Sequence, residues 1–159
     1  MGKRLIFKNV DFSADSFIVK NPTWYLNYTD AQLEGNNQVS GSNNFYFKPA
    51  DITSNNLNGK VVQFIKIYAK STGTLTISEI NSSGNGSVIR SENHNVEQGV
   101  NIIQLVTPIT LSATRSIGFI GDGITPLWNN AEYGMHFNRV GYTTDYGTKT
   151  IPADLGVIE

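Results

Sequence analysis

The apolar residues of this chain come in short blocks cut by Gly, Asn, Ser and Pro, and no window sustains an i, i+3, i+4, i+7 stripe over three turns. A chain patterned this way has no long amphipathic helix to fold around and must bury its apolar side chains from strands. Its polar residues agree: 18 Asn, 14 Thr and 13 Ser, 45 of 159 residues, are short hydrogen-bonding side chains that suit turns and, for Thr, strands.

The pattern predicts strands at residues 4–10, 16–19, 44–48, 61–70, 73–80, 87–91, 101–106, 116–121 and 134–142. In the 61–70 block Val62, Phe64 and Tyr68 fall on one face and Val61, Ile65 and Ile67 on the other, which marks a central strand covered on both sides. Leu75 and Ile77 alternate with Thr74, Thr76 and Ser78, the half-buried pattern of a sandwich strand. Ser71-Thr72-Gly73 is a tight connection, and Asn81-Ser82-Ser83-Gly84-Asn85-Gly86 is a loop with two residues free to take positive φ. Pro108 is expected to end its strand by withholding a backbone donor. Residues 21–43, with Trp24, Tyr25, Leu26 and Tyr28, form a structured excursion of poorer pattern.

Eight or nine strands fit an all-β, antiparallel β-sandwich of the jelly-roll kind better than a seven-strand immunoglobulin sandwich. The expected organisation is a single sandwich domain over residues 1–145 with an extended tail over 146–159. Phe64, Ile65, Ile67, Leu75, Ile77, Ile103, Leu105, Ile117 and Phe119 occupy the apolar phases of the best strands and are the expected core.

Charge and composition then narrow the partners. Twelve basic against 13 acidic residues leave a net charge of -1 with no basic run, which argues against nucleic acid held by phosphate neutralisation. No apolar stretch approaches the roughly 20 residues of a membrane span, so no membrane insertion is expected. The start Met1-Gly2-Lys3-Arg4-Leu5-Ile6-Phe7-Lys8 has too short an apolar run for a signal peptide. The absence of Cys excludes disulfides and thiolate metal sites.

Signals for catalysis are missing. His94 and His136 stand far apart with no metal-ligand spacing, no G-x-S-x-G elbow occurs, and Gly84-Asn85-Gly86 lacks the Lys and helix of a phosphate loop. No catalytic residue, metal ligand or cofactor is therefore expected. Asp11, Ser13 and Asp15 alternate like calcium ligands, but Ser16 and Pro22 stand where an EF-hand needs Gly and Glu. A calcium site built from loops, with Asp122 as a further donor, stays open beside the plainer reading of Asx turns.

Aromatic residues, 11% of the chain, carry the binding signal. Flat rings stack on the C–H faces of sugars while amides and carboxylates at the rim satisfy the hydroxyls. Trp24 and Tyr25, and Trp128 with Asn129, Asn130 and Asp122, have that composition and are the expected ligand-binding residues; the alternative for each Trp is a place in the core.

The stretch from Gly99 to Gly121, GVNIIQLVTPITLSATRSIGFIG, resembles the late strands of carbohydrate-binding-module-like jelly rolls of gut Bacteroidota proteins: a Gly-x-Asn turn opening a strand, a Pro-apolar pair, and an Ile-Gly-Phe strand closing the sheet. The start from Lys3 to Ser13, KRLIFKNVDFS, resembles the openings of proteins encoded by phages of those bacteria. The resemblance implies a glycan-binding or virion-surface module without implying an enzyme, and it assigns no ligand residue; the first expectation is therefore a non-catalytic fibre, decoration or receptor-binding component at the virion surface that meets host surface polysaccharide and other virion proteins. Two alternatives stand beside it: a carbohydrate-binding module of a secreted bacterial glycan-degrading protein, at the extracellular or cell surface, and a purely structural virion assembly protein. Homo-oligomerisation is left open.

Overall fold

The computed structural model describes residues 4–6, 21–39, 43–120, 123–129, 135–142 and 145–158. The expected strand at 16–19 and the calcium-like run at 11–15 lie outside them, as do Asp122 and Asn130.

Most of the fold is two packed sheets. The first runs in the order β1 (Arg4–Ile6), β8 (Gly99–Thr110), β5 (Val61–Ala69), β13 (Ala153–Ile158), β2 (Thr23–Trp24). The second runs β12 (Asp145–Ile151), β11 (Met135–Arg139), β4 (Asn44–Phe47), β9 (Arg115–Ile120), β6 (Gly73–Asn81), β7 (Ser87–Val96). A ribbon of β3 (Asn37–Gln38) and β10 (Pro126–Leu127) completes the described strands. All pairings among them are antiparallel except that of β1 with β8. The chain is thus an all-β sandwich, as its periodicity requires.

The core lies between the sheets. Ile65 and Ile67 from β5, Ile103 and Leu105 from β8, Leu75 and Ile77 from β6, and Ile117 and Phe119 from β9 are all buried in one cluster. Phe64 is also buried but points out of that cluster, onto the opposite face of the first sheet, where Gly156 lets it close with Trp24 and Pro22. Val62 departs from the expected phase and joins Ile65 and Ile67 in the core. The cause is a bulge: Val62 pairs with Ile109 and Phe64 with Gln104, so Gln63 alone faces residues 105–108. Pro108, expected to end its strand, sits inside this bulge without a β5 partner, and β8 continues through it to Thr110.

Side chains from the opposite sheet satisfy the bulged backbone. Arg90 on β7 donates to the carbonyls of Thr107 (2.9 Å) and Pro108 (3.3 Å), and the Glu92 carboxylate accepts the Val106 N–H (2.9 Å). Glu79 holds Arg90 in turn, 2.7 Å from its Nε. Burial alone would raise the pKa of Glu92, but hydrogen bonds from His94 and from the backbone of Val106 and Thr107 bring it below the ordinary carboxylate value.

The end of the chain also departs from expectation. Residues 146–159 were expected as an extended tail. Instead β12 pairs with β11, and β13 lies between β5 and β2, with Ala153, Leu155 and Val157 in the core. Two short helices were also missed. In α1 (Asp30–Glu34) the Thr29 side chain accepts from the Gln32 N–H while the Gln32 side chain accepts from the Thr29 N–H. In α2 (Pro49–Ser54) Pro opens the first turn with its φ already helical, and Ile52 is buried in the core.

Candidate ligand-binding site

The described ones among the expected ligand-binding residues fall in two places. Trp24 and Tyr25 lie at and just beyond β2, against β13 of the first sheet; Trp128 and Asn129 follow β10, and Trp128 bridges to Thr150 on β12 of the second.

Both tryptophans are half-buried and engaged by neighbouring groups. Trp24 is half-buried with the Lys66 ammonium 4.2 Å from its ring centre, and its Cζ3 lies within 2.9 Å of where a Cβ on Gly156 would stand. Gly156 is therefore required by close approach. Tyr25 packs against the core, and its N–H donates to the Leu155 carbonyl at 3.2 Å. Trp128 is half-buried with its indole Nε1 donating to the Gln32 carbonyl at 2.6 Å, which ties it to α1.

Asn129 borders a cleft. The cleft, about 320 Å³, opens where the β3–β10 ribbon leans over strands β4, β11 and β12, and is lined by Asn37, Gln38, Val39, Asn43, Phe45, Leu127, Asn129, Phe137 and Lys149. Its volume falls at the low end of small-molecule sites, roughly 300 to 1,000 Å³. Val39, Phe45, Leu127 and Phe137 are buried and form an apolar floor, with Phe45 and Phe137 edge to face at 4.8 Å between centroids. Around it stand amides. Asn37, Gln38 and Asn129 are exposed, and the Asn129 backbone N–H donates to the Asn36 side chain at 3.1 Å.

Asn43 has a fixed orientation. The Arg139 guanidinium donates to its side-chain oxygen, and since a guanidinium has no acceptor, the amide nitrogen of Asn43 is the group left to offer elsewhere. The same guanidinium lies 3.8 Å from the ring centre of Tyr142, which is 48% exposed. Tyr142 is thus linked to Asn43 through the Arg139 guanidinium.

The sequence carried a signal for the cleft that aromatic counting passed over. Asn36, Asn37, Gln38 and Asn43 crowd the run just before β4. Lys149 had no such mark, because it belongs to the segment expected as a tail.

The described histidines are both carboxylate-bound. His94 is fully buried with Nε2 2.6 Å from Glu92, and His136 Nδ1 lies 2.9 Å from Asp51. Burial, then the charges of Asp154 and Asp51, push the Tyr28 hydroxyl well above its usual pKa, so it stays protonated at neutral pH. Among the described residues no group of three or more His, Asp or Glu side chains could hold a metal ion.

Comparison with family models, with curated proteins and with solved structures finds no match for the chain.

Proposed function

We propose that this protein is a non-catalytic glycan-binding β-sandwich of the jelly-roll kind. The observation that carries the reading is the cleft of about 320 Å³, in which four amide side chains stand around an apolar floor. Amides both donate and accept, so they can follow the alternating hydroxyls of a sugar, while the floor receives its C–H face. The ligand-contacting residues of this reading are Asn37, Gln38, Asn43 and Asn129.

The setting that goes with the resemblance of residues 3–13 and 99–121 is the surface of a phage particle, where the sandwich would meet host polysaccharide. The test is a glycan array on the purified chain, paired with its mass in solution. Glycan binding that is lost in Asn37→Ala and Asn129→Ala, with an unchanged denaturation midpoint, supports the reading. A chain that binds no glycan and forms an obligate oligomer overturns it in favour of a purely structural assembly role.

A further inference from the structure

We infer that Asn85 is a site of spontaneous deamidation whose isoaspartate product releases the loop between β6 and β7 from the second sheet; this is independent of what the cleft binds. An Asn followed by Gly is the pair most open to attack on the side-chain amide by the next backbone nitrogen, because Gly puts no side chain in the way. The sequence holds two such pairs, Asn58-Gly59 and Asn85-Gly86, and both asparagines are exposed. The fold separates them. The Gly59 N–H donates to the Leu111 carbonyl at 2.8 Å, the Leu111 N–H donates to the Lys60 carbonyl at 2.9 Å, and Leu57 and Leu111 are fully buried. The Gly86 N–H donates to the Ser83 carbonyl at 3.1 Å, inside its own loop, and the Gly141 N–H donates to the Asn85 carbonyl at 2.7 Å; Ser83, Gly84, Asn85 and Gly141 are all exposed. Freeing the nitrogen of Gly86 takes the opening of these two surface bonds, whereas freeing that of Gly59 disturbs a turn anchored in the core. The structure also keeps the labile pair in place. Gly86 has φ +76°, and a Cβ there would stand 2.7 Å from Cε1 of Tyr46, so Gly is the residue that fits after Asn85.

The reaction needs nothing but the chain and water. The Gly86 nitrogen bonds to Asn85 Cγ, the Cγ–Nδ2 bond breaks, and the amide leaves as ammonia with the proton that the Gly86 nitrogen gives up. Water then opens the five-membered imide at either carbonyl, at one to give aspartate and at the other isoaspartate; nothing is oxidised or reduced. Isoaspartate carries its Cβ in the main chain, so the loop gains a backbone atom at that point. Gly86 lies against the ring of Tyr46 on β4, and that ring is 2% exposed. The lengthened backbone carries Gly86 off its seat and uncovers the ring.

The test is to hold the full chain in mildly alkaline buffer, folded in one arm and unfolded in urea in the other, and to follow both pairs by peptide mass mapping, with isoaspartate scored by enzymatic methylation. The expected result is that Asn85 converts several-fold faster than Asn58 in the folded chain, and that the two rates draw together in urea. Tyr46 should then be nitrated by tetranitromethane in molecules carrying isoaspartate at position 85 and spared in unconverted ones. Asn85→Gln, whose longer side chain would have to close a six-membered ring, should stay unconverted and keep Tyr46 protected over the same period. Conversion of Asn58 ahead of Asn85, the same ratio of rates with and without urea, or no conversion of Asn85 in the folded chain would overturn the site. Tyr46 equally protected in converted and unconverted molecules would overturn the release of the loop.

Discussion

The Glu92 carboxylate, on a strand of one sheet, accepts the backbone N–H of Val106 on a strand of the other at 2.9 Å, and its partner in the same task is Arg90. An ordinary sandwich joins its sheets through side-chain packing alone. Here a bulged strand leaves backbone groups without a ladder, and inward-pointing charges meet them.

Glu92→Ala should therefore cost roughly 1 to 3 kcal/mol, the usual range for stranding a buried hydrogen-bonding group. The acid dependence has a definite sign. The folded-state pKa of Glu92 is lowered, so its contribution is complete above the unfolded value, about 4.3, and is lost as pH falls through the folded one. Denaturant titrations should show the gap between wild type and Glu92→Gln at neutral pH closing as the pH drops below about 4. A gap that stays constant would mean that the charge of Glu92 adds nothing to stability.

Leu75 and Phe119 are fully buried on neighbouring strands of the second sheet. Truncation of either to Ala should cost roughly 2 to 5 kcal/mol, seen as a lower urea midpoint with an unchanged slope.

For the tryptophans the expected effect is on stability rather than on binding. Trp128→Phe removes the indole donor from the Gln32 carbonyl, and Trp24→Ala empties the space over Gly156. Each should lower stability by about 1 to 3 kcal/mol while leaving the affinity for a confirmed glycan unchanged. Loss of binding at an unchanged midpoint would return the tryptophans to the site.

A chain ending at Pro152 lacks β13, whose Leu155 and Val157 pair with Ile65 and Val62. It should give a circular dichroism spectrum without the strand signal of the full chain and no cooperative unfolding transition.

Local alternation made much of this legible. The nine residues expected in the core are all buried, because strand phase follows from neighbours two positions apart. Where the structure departs from the sequence reading, a distant segment decides. The bulge that turns Val62 inward exists only in the pairing of β5 with β8, and residues 153–158 have little periodic contrast because nearly every side chain there is buried. The helices were a different kind of omission. Thr29 with Gln32, and Pro49 with Asp51, are local start signals that were present but outweighed by the strand pattern around them. The cleft draws its lining from residues 37 to 149, so no stretch of the sequence displays it whole.

The position of β13 also sets the order in which the molecule can be completed as it is made. During synthesis β5 and β8 emerge early and can pair, but the other side of β5 waits for residues 153–158 to leave the ribosome. Until then an apolar strand nine residues long has one row of backbone donors and acceptors without its eventual neighbour. Such a row is a template for any strand that arrives first, including the same strand of a nascent chain on the next ribosome. The yield of soluble protein should accordingly depend on translation rate and on chaperone supply more than the stability of the finished sandwich would suggest.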